Sequence, residues 1–146
     1  MKRCEQGFTL IEAIISLIIL SILSLNSVTF VVNLHDYIQL NRVLAVFQAD
    51  LHDARDVNMM QLSGQQRRII RIYHNENRYV ILDNNIVQVE REFPRNITVA
   101  RGQHALSEIS FNDRGNLGVA RTFVFSSSYH TRSVVFSIGT GGFDVR

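Results

Sequence analysis

Cysteine, lysine and tryptophan are almost or entirely missing from this chain of 146 residues. Cys4 is the only cysteine, so no intramolecular disulfide and no cysteine-based metal site can form. Lys2 is the only lysine, and beyond Arg3 the strongly basic residues are all arginine, which favours planar contacts with carboxylate or phosphate. The net charge of +2 is too small to indicate a partner on its own.

Charge is also missing from a long stretch near the N-terminus. Between Phe8 and Val32 there is no Lys, Arg, Asp, Pro or Gly, and Glu12 is the only ionisable side chain. As a helix rising about 1.5 Å per residue, this stretch reaches roughly 37 Å, which exceeds a bilayer core of about 30 Å. We therefore expect a single transmembrane helix at residues 8–32. The basic leader, residues 1–7, would lie on the cytoplasmic side and the rest of the chain outside.

Three interpretations of this segment differ in how they account for Glu12. A secretory signal peptide has an apolar core of about 7–15 residues and a small-residue cleavage site, but this run is longer and Ser24–Ser27 is a poor site. A plain membrane anchor explains the length and the basic flank but not the carboxylate. Because an unpaired carboxylate in a bilayer is costly, Glu12 should be protonated, paired, or at headgroup depth near the positive end of the helix dipole.

The third interpretation comes from a resemblance. Gly7-Phe8-Thr9-Leu10-Ile11-Glu12, after a short basic leader, resembles the prepilin signature of type IV pilins and type II secretion pseudopilins. The resemblance implies that a membrane peptidase cleaves between Gly7 and Phe8 and that Phe8 is then N-methylated. It also implies that Glu12 pairs with the N-terminal amine of a neighbouring subunit. The implied partners are other pilins, the prepilin peptidase and the membrane.

Helical periodicity continues beyond the apolar stretch. Apolar residues recur at helical spacings with polar residues between them, which predicts an amphipathic continuation of the helix over residues 33–62. Ser63-Gly64 is the predicted stop signal. Asp50, Asp53 and Asp56 fall near one helical face, and we interpret them as a polar stripe rather than as a contact with a basic surface. The expected apolar face consists of Leu34, Ile38, Leu44, Phe47, Leu51 and Ala54.

The pattern changes to a period of two after Gly64. Apolar and polar residues alternate between turn signals, which predicts about six or seven short antiparallel strands over residues 65–146. The expected fold class is α+β, a pilin-like lollipop. Its long N-terminal helix has a membrane half and an amphipathic half, and the amphipathic half packs on a C-terminal antiparallel β-sheet domain.

Segments of the C-terminal half carry a second resemblance. Gln65-Gln66-Arg67, Ile109–Asn116 and Val135–Gly142 resemble the ComGD-like minor pilins of the Gram-positive competence pilus. They are also similar to the H-type minor pseudopilins of type II secretion. The resemblance implies a pilus subunit of a DNA-uptake system, located in the cell membrane and, after assembly, at the cell surface. The alternatives are a secretion pseudopilin and a membrane-anchored DNA-binding module.

Patterns typical of catalysis or metal binding are weak. The five histidines are scattered without metal-ligand spacing, and Ser126–Ser128 lacks the strand–turn–helix context of an activated serine, so we predict a loop there. Gly139–Gly142 is not followed by a helix with Lys-Ser/Thr, and we interpret it as a tight turn rather than a phosphate loop. The sequence therefore predicts no enzyme, no cofactor and no metal site.

Arginines at the predicted helix-to-sheet junction are the candidate nucleic-acid contact. Arg67, Arg68 and Arg71 could bind phosphate, with Tyr73 and Tyr79 nearby to stack on bases. Acidic residues are interspersed along the same stretch, so structural ion pairs are the preferred interpretation. Any contribution to DNA uptake is expected to be indirect.

Overall fold

The computed structural model describes residues 9–60, 67–101, 108–137, 139 and 141–146. The chain divides into two compact units, Met1–His35 and Asp36–Arg146. Helix α1 spans Leu10–Met60 and precedes strands that are all antiparallel, so the predicted α+β class is confirmed. The leader, Phe8 and the predicted stop at Ser63-Gly64 lie outside the described residues. The strands are β1 (Arg68–Tyr73), β2 (Arg78–Asp83), β3 (Ile86–Glu92), β4 (Thr98–Arg101), β5 (Glu108–Ser110), β6 (Arg121–Ser126), β7 (Thr131–Phe136) and β8 (Phe143–Val145).

Local hydrogen bonds stabilise the start of α1 and satisfy the hydroxyls of its serines. The backbone N–H of Glu12 lies 3.1 Å from the Thr9 carbonyl and 3.4 Å from Thr9 Oγ1. Thr-x-x-Glu is the spacing of a capping box, which satisfies free N–H groups at a helix start. Four serine hydroxyls donate to the carbonyl four residues earlier, over 2.7 to 2.9 Å, so they remain satisfied in an apolar setting. These serines are Ser16, Ser21, Ser24 and Ser27.

The strands form two four-stranded sheets, with the orders β3-β2-β1-β5 and β4-β6-β7-β8. The antiparallel domain thus consists of two sheets rather than one, because the chain changes sheets after β3, after β4 and after β5. Pro94, just beyond β3, has no N–H to donate to a continuing ladder, so pairing ends there. The chain returns at β5, where Ile109 pairs with Ile70 of β1.

The C-terminal part of α1 forms one wall of the core. Phe47 is fully buried, and its ring lies 5.3 Å from those of both Tyr79 and Phe125, which belong to different sheets. Burying each such side chain contributes about 1.5–3 kcal/mol. Leu34 and Ile38 were predicted for the buried face but are 44% and 50% exposed, whereas Leu40, which was not predicted, is fully buried. The buried positions on this part of the helix are Leu40, Leu44, Phe47, Leu51 and Ala54.

Two of the segments that carry the second resemblance, the turn after β5 and the segment before β8, meet in the folded chain. Asn112 Oδ1 accepts hydrogen bonds from the N–H groups of Arg114 at 3.0 Å and Asn116 at 2.8 Å, which closes the turn after β5. Gly115 has a φ of +72° and Gly141 a φ of +56°. A Cβ on Gly141 would lie 1.7 Å from the Gly115 carbonyl oxygen, so glycine is required where these two segments cross.

Candidate functional site

Glu12 lies in the first turn of α1 and is exposed. The large apolar side chains described from Leu10 to Val32 are 45% to 80% exposed. The helix is long and apolar enough to cross a membrane. Glu12 forms no ion pair with any residue in the described part of the chain. The arrangement is therefore an apolar helix surface with one carboxylate at its N-terminal end, where the helix dipole favours a negative charge.

The predicted cleavage site lies outside the described residues. Gly7 and Phe8 precede Thr9, the first residue that the structure describes. Their proposed processing therefore rests on the sequence pattern. What the structure adds is the position of Glu12 within the helix, four residues beyond the predicted new N-terminus.

Arg68 is held by two aspartates from different elements. Its Nε and Nη2 atoms donate to Oδ1 and Oδ2 of Asp83, both at 2.7 Å, and Nη1 contacts Asp53 of α1. The hydrogen bond from Arg68 lowers the pKa of Asp83 below its ordinary value, and the same contact raises the pKa of Arg68. This guanidinium joins α1, β1 and β2 and is largely occupied by carboxylates.

Arg71 is also engaged within the domain, whereas Arg67 is exposed. Arg71 Nε donates to Glu108 Oε1 over 2.6 Å, between neighbouring strands β1 and β5. The pKa of Arg71 is raised, first by its hydrogen bond with Tyr73 and then by that with Glu108. The ion pairs expected for this stretch are thus present for Arg68 and Arg71. Of the three candidate nucleic-acid contacts, Arg67 is the one that lies exposed, just before β1.

The prediction of a polar stripe is wrong for two of the three helix aspartates. Asp50 is only 8% exposed and accepts hydrogen bonds from Tyr79 Oη at 2.5 Å and from Arg91 Nε at 2.7 Å. Burial and this contact raise the pKa of Tyr79. Asp53 contacts Arg68, and Asp56 is exposed. The spacing placed the three aspartates near one face but did not indicate that Asp50 pairs with Arg91 and Asp53 with Arg68.

Asp36 is a buried carboxylate that the sequence reasoning did not identify. It is 4% exposed and accepts hydrogen bonds from Ser127 Oγ at 2.6 Å, from the Tyr129 N–H at 3.2 Å and from Asn96 Nδ2 at 3.2 Å. The hydrogen bond from Ser127 is the main cause of its lowered pKa. Ser127 N–H also donates to the His130 carbonyl over 2.8 Å, so the predicted loop is the turn of the β6–β7 hairpin.

A cleft and a histidine are further surface features of the second unit. An open cleft of about 640 Å³ is lined by Arg71–Glu76, Val99 and Ala100. His74 lies at its edge with Nδ1 2.8 Å from the Val99 carbonyl oxygen, a contact between the two sheets. In the described ranges, no group of three His, Cys, Asp or Glu side chains is arranged to hold a metal ion.

A comparison with models of protein families matches residues 2–25 to the prokaryotic N-terminal methylation motif. The matched range contains Gly7, Phe8 and Glu12 and marks a type IV pilin-like prepilin N-terminus. The long N-terminal helix followed by antiparallel sheets is consistent with a pilin-like fold, and the apolar helix fits membrane anchoring. The motif implies processing by a prepilin peptidase and assembly with other pilins, which is a structural role. Neither the curated proteins nor the solved structures give a significant match.

Proposed function

We propose that this chain is a minor pilin, or pseudopilin, needed for assembly of a competence type IV pilus that takes up DNA. The N-terminal methylation motif carries the proposal. The exposed apolar surface of residues 10–32 supports it, because such a surface needs lipid or other apolar helices around it. The resemblance of the C-terminal segments to competence minor pilins supports the choice of pilus.

In this function, the precursor is inserted with its leader in the cytoplasm and its C-terminal domain outside. The prepilin peptidase cleaves between Gly7 and Phe8, and the new α-amine of Phe8 is methylated. During assembly, packing against other helices replaces the lipid around residues 10–32. Glu12 then pairs with the N-terminal amine of a neighbouring subunit. This pairing fixes one register, because a buried carboxylate without a cation would be costly.

The first experiment is the intact mass of the chain isolated from cells that contain a prepilin peptidase. A mature chain that starts at Phe8 and carries one methyl group is expected. Gly7→Glu should leave the leader attached, because it places a charged side chain at the cleavage site. A full-length chain, or one cut near Ser27, would contradict the pilin pathway.

A second experiment tests Glu12 in assembly. Glu12→Ala should insert into the membrane normally but be depleted from sheared fibres, because the subunit lacks the pairing carboxylate. Ser16→Ala, one helical turn further along and also exposed, is the matched control and should enter fibres at the wild-type level. Equal amounts of Glu12→Ala and wild type in the fibres would show that the pairing is not needed.

A type II secretion pseudopilin is the alternative, since the C-terminal segments also resemble the H-type pseudopilins. Deleting the chain separates the two functions: loss of transformation supports the competence pilus, and loss of protein secretion supports the alternative. Direct DNA binding at the arginine junction has less support, because Arg68 and Arg71 already contact carboxylates. The contribution to DNA uptake that we propose is therefore indirect.

A further inference from the structure

A cluster of aromatic and apolar side chains is exposed at the end of the second unit where α1 enters it. Tyr37 is 40% exposed, Ile38 50% and Tyr129 60%. The ring of His130 lies 5.4 Å from that of Tyr37 in an edge-on contact and so connects the helix side to the hairpin side. We call Tyr37, Ile38, Tyr129 and His130 the tyrosine patch.

The patch is held by the buried carboxylate of Asp36. This side chain binds Ser127 Oγ and the Tyr129 N–H, so the turn of the β6–β7 hairpin is fixed against α1. The Arg132 guanidinium lies 5.9 Å from the centre of the Tyr37 ring. Tyr129 is therefore displayed on an ordered turn. Binding therefore does not have to order the backbone of this turn.

The charge around the tyrosine patch is positive. Segments 36–46, 93–100 and 126–133 meet here, since Asn96 donates to both Asp36 and Gln39. They contain Arg42, Arg95 and Arg132 and a single carboxylate, Asp36, which is buried and hydrogen bonded. Glu92, just outside these segments, lines the same surface cleft as Arg42. Arg95 is exposed, and its charge is available to an external anion.

Chain connectivity limits how far the tyrosine patch can lie from a membrane. Asp36 follows Val32, the end of the apolar stretch, by four residues, a distance of at most about 14 Å even when fully extended. This limit applies to every relative arrangement of the two units. Tyrosine is enriched at the membrane–water boundary, and arginine binds phosphate there while its stem contacts apolar groups. The composition of the patch thus matches the surroundings that connectivity imposes.

We propose that the tyrosine patch and Arg95 dock on the headgroup region of the bilayer that residues 10–32 enter, with anionic phospholipid as the ligand. Docking would orient the unassembled subunit at the membrane surface and would be lost when the subunit leaves for the fibre. The inference rests on the proposed membrane anchoring. Single-stranded nucleic acid could use the same side chains, but only lipid is brought to the patch by the chain itself.

The absence of tryptophan allows a direct test. Three variants of the full chain are reconstituted in vesicles that contain lipids brominated near the glycerol or deep in the acyl chains. Tyr129→Trp reports on the patch, and Leu20→Trp reports on insertion of the helix. Ile86→Trp is the control, because Ile86 is 65% exposed but lies far from the patch. Ile86 pairs with Asp83, and Asp83 binds Arg68, which in turn contacts Asp53 of α1. Asp53 lies about 26 Å beyond Asp36 along α1.

We expect shallow bromines to quench the fluorescence of Tyr129→Trp, deep bromines to quench that of Leu20→Trp, and neither to quench that of Ile86→Trp. Because tryptophan itself favours interfaces, the Ile86→Trp variant measures that bias. Adding Arg95→Gln to Tyr129→Trp should weaken docking on anionic vesicles relative to neutral ones. The ratio of the two docking equilibrium constants, read from shallow quenching, should fall about fivefold. Arg114→Gln, also exposed but in the turn after β5, should leave the preference unchanged.

Three other outcomes would overturn the inference, each in a different way. Quenching in Leu20→Trp without quenching in Tyr129→Trp would leave the membrane anchor intact and remove the docking surface. Absence of quenching in Leu20→Trp would overturn the anchor and the docking together. Quenching in Tyr129→Trp by an added single-stranded oligonucleotide, with no response to lipid, would assign the patch to nucleic acid instead.

Discussion

Removal of the Tyr79 hydroxyl is expected to weaken the contact between α1 and the first sheet. The hydroxyl donates to Asp50 Oδ2 over 2.5 Å, and both residues are nearly buried, at 2% and 8% exposure. Arg91 donates to the same carboxylate through Nε at 2.7 Å and Nη2 at 3.1 Å. In Tyr79→Phe the ring keeps its contacts with Phe47 and Phe93, so the substitution isolates one hydrogen bond.

The expected loss of stability depends on which donors remain around the Asp50 carboxylate. A hydrogen bond to a charged group contributes about 1.5–3 kcal/mol. Because Arg91 still neutralises Asp50 in Tyr79→Phe, we expect the lower end, about 1.5 kcal/mol. Asp50→Ala should cost about 3 kcal/mol, since it leaves a buried hydroxyl without its acceptor and a guanidinium without its partner. The double variant should be destabilised no more than Asp50→Ala alone. The two substitutions would then show a coupling energy of about 1.5 kcal/mol.

Hydrogen exchange of the full chain in detergent micelles measures this difference locally. Amides of β2 and β3 should exchange about tenfold faster in Tyr79→Phe than in the wild type, because roughly 1.4 kcal/mol is a factor of ten. Tyr129→Phe is the control. Because the Tyr129 side chain is 60% exposed, this substitution should leave the amide exchange of β2 and β3 unchanged. Unaltered exchange in Tyr79→Phe, or strict additivity in the double variant, would refute the reasoning.

Three further predictions concern buried or constrained groups. The pKa of Asp36 is lowered from 3.8 by the hydrogen bond from Ser127, so its ionised form stabilises the folded unit above that pH, and the contribution is lost as the pH falls through the lower folded-state value. The stability difference between wild type and Asp36→Asn in urea titrations should therefore be constant near neutral pH and narrow below about pH 4. Gly141→Ala should cost about 2–4 kcal/mol, because it combines a positive φ with a backbone clash. Gly118→Ala, where a Cβ meets nothing within 4 Å, should be near neutral in the same titrations. Asn112→Ala should cost about 1 kcal/mol by freeing two N–H groups of its turn, and exchange of those amides should rise while that of β7 stays unchanged.

The sequence was sufficient for features that depend on local pattern. The helix could be predicted because no Pro or Gly interrupts residues 8–62 and the apolar spacing stays helical. The register of its buried face was predicted less well, because Leu34 and Ile38 are one turn apart from each other but not in register with Leu44. Leu40 lies at the centre of the buried positions, and Ile38, about 200° away around the axis, faces away from the sheets.

Features that depend on distant residues could not be predicted. Asp36 and Asp50 look like ordinary polar positions of a helix, and their hydrogen-bond donors lie up to 93 residues further along the chain. The division into two sheets likewise depends on which strands pair, which period-two patterns do not encode. The glycine turns were visible in the sequence, but the contact between Gly115 and Gly141 was not.

The ion pairs of the domain also determine how direct DNA binding should be tested. Replacing Arg68 would leave Asp83 and Asp53 without their partner, and replacing Arg71 would do the same to Glu108. Loss of DNA binding in such variants would therefore combine a changed charge with a destabilised domain. Arg67 is exposed, so Arg67→Gln removes a charge at the same junction without breaking these pairs. If the junction contacts phosphate, this variant should reduce the salt dependence of binding by about one counterion. An unchanged salt dependence would support an indirect role in DNA uptake.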